Sequence, residues 1–285
     1  MSFVELFDDW FATRLSEEAR EWISARQERI AGGNLKELYL GFGQVSRKIP
    51  KLELGLSTAE LDAAERLRPG WQPGHWSLPD TVRMRLLLGY RAESSEKFVE
   101  VLDRLFATGE VHELIALYQG LPLYPDQPMH VARAGEGIRT NMGAVFQAVA
   151  HRNPYPCEQL PEGMWNQMIL KCLFVGISLI PVVGLESRNN PALTGMLRDY
   201  AHERWAARRE VSPELWRCVK PEHQAEALED LARVLREGTE VEQRAAALSL
   251  SSSRHGEAAK LIEQYPGLRA EIDAGRLTWS EPGRN

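Results

Sequence analysis

The sequence lacks the features that mark several large classes of protein. Its 285 residues include only three cysteines, Cys157, Cys172 and Cys218, which lie far apart and in no CxxC arrangement. Scattered cysteines in odd number argue against a disulfide framework and favour a reducing cytoplasm. The net charge is -6, with acidic and basic residues interspersed. The sequence therefore has no cluster of basic residues of the kind that binds nucleic acid, and we expect no nucleic-acid partner.

Long apolar runs are equally scarce. Met168 to Leu185 is the most apolar stretch, but it holds Lys171 near one end and is interrupted by Gly176 and Pro181. A membrane-spanning helix needs about 20 apolar residues. The N-terminal stretch MSFVELFDDW has acids where a secretory signal needs a basic region. We therefore expect a cytoplasmic protein, and leave open peripheral attachment to the inner membrane.

Familiar catalytic and cofactor-binding motifs are also missing. The sequence has no GxGxxG after a strand pattern, no GxxxxGK[ST], no HExxH and no GxSxG. These absences argue against an ordinary nucleotide-dependent enzyme or hydrolase, and we expect no cofactor.

What is present is helical patterning. Ser57-Thr-Ala-Glu60 and Ser77-Leu-Pro-Asp80 have the spacing of capping boxes, and apolar residues at helical intervals follow each. Further apolar stripes predict helices over residues 98–105, 111–118, 135–151, 162–179, 193–205, 225–235, 241–250 and 256–264. No segment has the alternation typical of a strand.

These patterns predict an all-α fold of stacked antiparallel helix pairs, either an irregular HEAT-like solenoid or a helical bundle. We predict one domain over residues 1–285. A sub-boundary is expected near 69–79, with 1–68 as an N-terminal helical subdomain and 220–285 as a C-terminal helical extension. The stretch RPGWQPGHWSLP at this boundary carries two tryptophans, which predict a packed loop rather than a free linker.

Six motifs occur in one order along the chain: GIRTNM from Gly137, NPYP from Asn153, WNQMILK from Trp165, GLESRN from Gly184, DYAHERWAA from Asp199 and SPELWR from Ser212. In these motifs the sequence resembles the EboA family of metabolite-traffic proteins. The resemblance implies a role in moving or maturing a small secondary metabolite. It also implies partners encoded in the same gene cluster, among them an integral membrane protein, and it supplies no catalytic residue.

The polar side chains of WNQMILK form the first candidate site. Gln167 and Lys171 are four residues apart on the predicted helix and Asn166 is beside them, so we expect one polar strip. A buried lysine must be paired or partly neutral. Three interpretations stay open: Lys171 reaches the surface along its methylenes, forms a salt bridge with Glu136 or Asp199, or faces a ligand.

GIRTNM supplies two more candidates. Asn141 shares a helix face with Ile138 and Val145, so we predict that it is buried and holds the backbone of the NPYP turn. Arg139 lies on another side of that helix, where it can pair with an acid of DYAHER or meet an anionic ligand.

DYAHER places three potential metal ligands, Asp199, His202 and Glu203, on one arc of a helix. Carboxylate and histidine sites in bundles take matching Glu-x-x-His pairs from several helices, and no second pair occurs here. We therefore predict no metal, ion pairs from Arg198, Arg204 and Arg208, and a polar-network role for His202.

Three hypotheses about function remain. The first is a non-enzymatic binding or scaffold protein that holds a small metabolite or a partner enzyme. The second is an enzyme of unfamiliar type with Lys171, His202 and Glu203 in its pocket, and the third is a purely protein-protein adaptor. The lack of catalytic motifs favours the first. Its predicted ligand-binding residues are Arg139, Asn141, Asn166, Gln167, Lys171, Arg188, Asn189, Tyr200 and His202.

Overall fold

Polar residues fix where many of the helices begin. Ser57 and Ser77 are N-caps, and each accepts a hydrogen bond from the backbone N–H three residues later. The carboxylates of Glu60 and Asp80 accept a bond from the N-cap backbone in return. Both predicted capping boxes are confirmed.

The structure is a computed structural model and describes residues 1–279. It divides into two compact units, unit 1 (Met1–Leu160) and unit 2 (Pro161–Asn285). The helices of unit 1 are α1 (Phe3–Arg14), α2 (Glu17–Ala31), α3 (Leu35–Lys48), α4 (Thr58–Leu67), α5 (Leu78–Leu88), α6 (Ser95–Thr108), α7 (Val111–Gln119), α8 (Val131–Arg139), α9 (Gly143–Ala150) and α10 (Tyr155–Gln159). Those of unit 2 are α11 (Glu162–Phe174), α12 (Pro191–Ala206), α13 (Ala227–Glu237), α14 (Glu240–Ser251), α15 (Gly256–Glu263) and α16 (Pro266–Asp273).

Short 3-10 helices occupy Pro73–His75, Leu121–Leu123, Gln127–His130 and Pro213–Cys218. Over residues 1–279 the strand-like pairing is limited to one bridge between Glu53 and Ser77. The all-α fold is confirmed. The finer prediction of a HEAT-like solenoid and the predicted domain boundaries stay predictions.

An aromatic cluster fills the core of unit 1 beside α1. Trp71 and Trp76 are almost fully buried, with ring centroids 5.5 Å apart and their planes near perpendicular. Phe7 and Trp10 of α1 pack against them, the Trp10 centroid lying 6.0 Å from that of Trp71. Such pairs add to the stabilisation from burial alone. The RPGWQPGHWSLP segment is therefore a packed loop, as predicted.

The helix predicted over 135–151 is wrong in its middle, because α8 and α9 are separate helices. Thr140 has an extended backbone, and its hydroxyl accepts a hydrogen bond from the Met142 N–H at 3.2 Å, which replaces a helical bond. Asn141 lies in this break and is exposed, so its predicted burial is also wrong. Gly137 lets α8 approach α7 and α9 closely, since a Cβ there would meet Tyr118 of α7 and Val149 of α9 at 2.6 Å.

The NPYP turn is held by its own asparagine rather than by Asn141. Asn153 is buried and donates from Nδ2 to the carbonyls of Tyr118 and Ala148, both at 3.1 Å. Its Oδ1 accepts from the Tyr155 N–H at 3.0 Å. One side chain therefore satisfies three backbone groups of a buried turn.

In unit 2, α11 ends at Phe174 rather than continuing to Leu179. Gly176 adopts a φ of 72°, and the N–H of Ile177 donates to the Cys172 carbonyl at 2.7 Å. The Gly176 N–H donates to the Leu173 carbonyl, and these two bonds together form a Schellman motif. Glu214 then holds the following loop by accepting from the Ser178 hydroxyl and the Leu179 N–H.

The centre of unit 2 is α14, whose small buried residues Ala245, Ala246 and Ala247 allow close packing. This helix contacts α13, α15 and the 3-10 helix Pro213–Cys218. None of the helices within residues 1–279 combines the length and the apolar character that crossing a membrane requires.

Candidate functional site

Clefts on the surface of residues 1–279 include two in unit 1 and one in unit 2. One cleft of unit 1, of about 410 Å³, lies beside Trp71, His75 and Arg152. The other, of about 500 Å³, lies between α3 and α6 and is lined by Tyr39, Arg104, Glu113 and apolar neighbours. The cleft in unit 2 has a volume of about 600 Å³.

The unit 2 cleft is distinguished by the number of charged side chains that converge on it from separate segments. We define it by its lining residues: Glu186, Ser187, Asn189, Arg217, Lys220, Glu222, His223, Ser252, Arg254 and Trp279. They come from the loop before α12, from the 3-10 helix Pro213–Cys218 and the turn after it, from the end of α14, and from the C-terminal side of α16. Two of the six sequence motifs, GLESRN and SPELWR, contribute to its walls.

Buried hydrogen bonds fix the backbone just before Lys220, beside the unit 2 cleft. Ser249 of α14 donates to the Val219 carbonyl at 2.7 Å, and Thr194 of α12 donates to the Cys218 carbonyl at 3.1 Å. The Thr194 hydroxyl also lies 3.0 Å from Nδ1 of His223. Backbone next to Lys220 is thereby tied to two helices, so the lysine starts from a rigid position.

The charges of the cleft are arranged unevenly. Arg217 pairs with Glu186, its Nε donating to Oε1 at 2.6 Å, and its guanidinium lies 5.9 Å from the ring centroid of Trp279. Glu222 accepts from the Ser253 hydroxyl at 2.5 Å. Arg254 is exposed. Arg217 and both carboxylates of the cleft are thus hydrogen-bonded to other protein groups.

Lys220 has a different environment. Its Nζ donates to the neutral Ser252 hydroxyl at 2.6 Å, and no ion pair joins it to a carboxylate of residues 1–279. Burial lowers the pKa of Lys220 from its ordinary value of 10.5, although Glu222 and Glu186 raise it through space. Desolvation of this ammonium is therefore only partly compensated by protein charge.

Of the ligand-binding residues predicted from the sequence, Asn189 lines the unit 2 cleft. Its Oδ1 atom is buried and accepts no hydrogen bond from any described residue. Arg188, the residue before it, places its guanidinium 5.2 Å from the centroid of the Trp165 ring. The GLESRN motif therefore has one residue at the cleft and one stacked on an aromatic side chain.

Asn166 has a structural partner that spacing did not reveal. It is buried and forms a reciprocal amide pair with Asn190, with Nδ2 to Oδ1 distances of 3.2 and 2.9 Å. Asn190 is also the N-cap of α12, accepting from the Leu193 N–H at 2.8 Å. The pair therefore joins α11 to the start of α12. Gln167 is exposed, so the predicted strip of three polar residues is divided between two faces of α11.

Lys171 is half-buried, and burial lowers its pKa. It is not among the residues that line the three described clefts, and its predicted roles stay predictions. Arg139 and Glu203 are exposed. Tyr200 is half-buried, with the Arg204 guanidinium 5.9 Å from its ring centroid.

His202 belongs to a polar cluster of unit 2 that centres on Asp230 of α13. The buried Asp230 carboxylate lies 2.6 Å from His202 Nε2 and accepts a hydrogen bond from Arg198 Nε at 2.7 Å. His202 also stacks on Trp205, with the ring planes 27° apart. We call Asp230, Arg198 and His202 the Asp230 cluster. Within residues 1–279, no group of three His, Cys, Asp or Glu side chains has an arrangement that could hold a metal ion.

Lys220, His223, Arg254 and Asp230 were not predicted from the sequence. The signal for Lys220 was weak but present, since it comes three residues after SPELWR and just before Pro221. The other three follow the last motif by longer intervals, and no local pattern separates them from ordinary surface charges.

These observations define an all-helical protein whose second unit carries a polar cleft rich in cations. Residues 3–220 match the family model described as metabolite traffic protein EboA, so the chain belongs to the EboA family and the resemblance seen in its motifs is confirmed. The match includes Arg217 and Lys220, whereas the walls formed by Glu222, His223, Ser252, Arg254 and Trp279 lie beyond it. No curated protein and no solved structure shows significant similarity to the chain.

Proposed function

We propose that the protein binds a small metabolite in the unit 2 cleft and holds it during traffic or maturation, without itself transforming it. The observation that carries this proposal is the convergence of Arg217, Lys220 and Arg254 on one cleft of about 600 Å³. Pockets for small molecules have volumes of about 300 to 1,000 Å³ and use a few placed polar groups to orient the ligand.

Membership of the EboA family supports the same proposal, because the family description names metabolite traffic. A holding role needs a defined site and reversible contacts, and it does not need a nucleophile with its base. The hypothesised catalytic residues Lys171, His202 and Glu203 are not among the residues lining the unit 2 cleft.

A bulky substitution in the cleft tests this function in cells that carry the native gene. Ser252→Trp places an indole in the cleft wall, whereas Ser24→Trp introduces the same side chain at an exposed position of α2. We expect Ser252→Trp cells to match a gene deletion, with the finished metabolite present but mislocated, and Ser24→Trp cells to match wild type. Accumulation of a precursor in Ser252→Trp cells indicates catalysis instead, and normal distribution contradicts a role for this cleft.

A second function, docking of a partner protein, is favoured by a separate observation. At the end of α11 and in the loop after it, Phe174, Val175 and Ile180 expose 74%, 46% and 41% of their surface. The Schellman motif and Glu214 hold this loop, so it presents apolar side chains in a fixed shape. The partner we propose is a protein encoded in the same gene cluster, as the adaptor hypothesis requires.

Co-purification from native cells tests this second function. Phe174→Ser should lower recovery of the partner, while Leu52→Ser, at another exposed apolar residue but in unit 1, should leave it unchanged. Equal recovery with both variants contradicts docking at this loop.

A further inference from the structure

The number and sign of the charged side chains in the unit 2 cleft indicate which class of ligand it binds. The cleft is lined by two guanidinium groups and one ammonium group, those of Arg217, Arg254 and Lys220, and by two carboxylates, Glu186 and Glu222. These cations exceed the anions by one, without counting the imidazole of His223.

Within residues 1–279, Arg217 and Glu186 form an ion pair, whereas Lys220 forms none. Glu222 accepts a hydrogen bond from the Ser253 hydroxyl, and its charge acts on Lys220 through space. An ammonium has three donors, and Ser252 accepts one of those of Lys220. The carboxylates near enough to influence Lys220 are thus held by other donors.

A half-buried ammonium that contacts a neutral hydroxyl is a poor arrangement for stability alone. Burial disfavours its charged form, and an opposite charge at hydrogen-bonding distance restores it. Charge-assisted hydrogen bonds to oxyanions are shorter and stronger than neutral ones. An anionic ligand supplies both the missing charge and an acceptor for the remaining N–H donors.

We infer that the metabolite held in the unit 2 cleft is an anion, whose carboxylate or phosphate group is bound by Lys220 with Arg217 and Arg254 contributing to the field. Trp279 gives the same cleft one aromatic wall, so the rest of the ligand includes a flat apolar part. This inference rests on the proposed function and adds the chemical class of the ligand.

Matched charged and neutral probes test the inference on the full-length protein. Indole-3-carboxylate and indole-3-carboxamide have nearly the same shape, and ligand-observed NMR titration gives a Kd for each. We expect the carboxylate to bind about tenfold more tightly, the effect of one charge-assisted hydrogen bond. Inorganic phosphate is titrated in competition: stronger binding of phosphate assigns a phosphate ester, and stronger binding of the carboxylate assigns a carboxylic acid.

Variants then show whether the preference for the carboxylate probe depends on Lys220. Lys220→Met should abolish the difference between the two indole probes, and Lys220→Arg should retain part of it. Lys260→Met, at an exposed lysine of α15 whose partner is Glu257, should behave as wild type. Circular dichroism of each variant verifies that it is folded.

Three outcomes overturn the inference: equal binding of the acid and the amide, a preference that persists in Lys220→Met, or no binding of either anionic probe. Equal binding still leaves the cleft as a small-molecule site, so it separates the failure of the ligand class from the failure of the proposed function. The latter is decided by metabolite distribution in Ser252→Trp cells, which does not depend on any probe.

Discussion

Two charged sites of unit 2 are built from similar residues and have opposite characters. In the Asp230 cluster, a buried carboxylate meets the guanidinium of Arg198 and the imidazole of His202, both within 2.7 Å. In the unit 2 cleft, the ammonium of Lys220 meets a neutral hydroxyl, and the nearby carboxylates are bound by other groups.

The difference separates a site that holds the fold together from one that is available for a ligand. A buried charge with all its partners in the protein is costly to disturb, because removing one partner leaves a buried charge uncompensated. A charge that lacks a partner contributes little to folding, and a ligand can gain by supplying that partner. Substitutions in the two sites should therefore differ in their effect on stability.

The largest effect is expected in the Asp230 cluster. Asp230→Ala leaves Arg198 and His202 without their shared acceptor and should lower the free energy of unfolding by about 3 kcal/mol. The control is Asp199→Ala on the exposed face of α12, which should change it by less than about 0.5 kcal/mol. Urea denaturation measures both, and equal effects of the two variants contradict a structural role for the cluster.

The next effect is expected at the amide pair between α11 and α12. Asn166→Ala removes a buried partner of Asn190 and should lower the free energy of unfolding by about 2 kcal/mol. Gln167→Ala, one residue along but exposed, should be within about 0.5 kcal/mol of wild type. A stable Asn166→Ala protein disagrees with the pairing described above.

Removing the charge of the cleft should affect stability far less. Lys220→Met keeps most of the methylene packing and eliminates the desolvated ammonium, so we expect a change of about 0.5 kcal/mol or less, or a small gain. Thermal denaturation beside Asp230→Ala makes the comparison direct. A loss as large as that of Asp230→Ala means that Lys220 serves the fold.

The smallest effect is a pH dependence caused by Lys220. Burial places its folded-state pKa below 10.5, so between these two values the unfolded chain binds more protons than the native protein. The contribution of Lys220 to the free energy of unfolding therefore rises with pH between its folded-state pKa and 10.5. Wild type should gain stability relative to Lys220→Met as pH approaches 10.5, measured by urea denaturation. A relative loss contradicts the desolvation of this lysine.

Much of the helical fold was predictable because interactions between residues close in sequence determine it. The capping serines Ser57 and Ser77 act through neighbours three residues away, and apolar spacing of 3.6 is a property of one segment. The break at Thr140 was missed because a short hydroxyl-to-backbone bond competes with the helix without disturbing the apolar stripe. Asn141 was consequently placed in the core although it is exposed.

The candidate site was largely unpredictable because its parts are distant in sequence. Arg217 and Glu186 are 31 residues apart, Lys220 and Ser252 are 32 apart, and Asp230 is 28 residues from His202. The motifs GLESRN and SPELWR contribute walls of the cleft, but their spacing does not show which of their charges pair. Lys171 is conspicuous in the sequence because it interrupts an apolar run. Lys220 lies in an ordinary polar turn, and its burial results from tertiary packing.

Native mass spectrometry of the protein recovered from cells that carry its gene shows whether Lys220 holds a small anion. Wild-type protein should carry an added mass, and denaturation should release it as a small anion. The same mass should be missing from Lys220→Met and present on Lys260→Met. If wild type and Lys220→Met carry an identical bound mass, or the released molecule has no acidic group, Lys220 does not hold an anion.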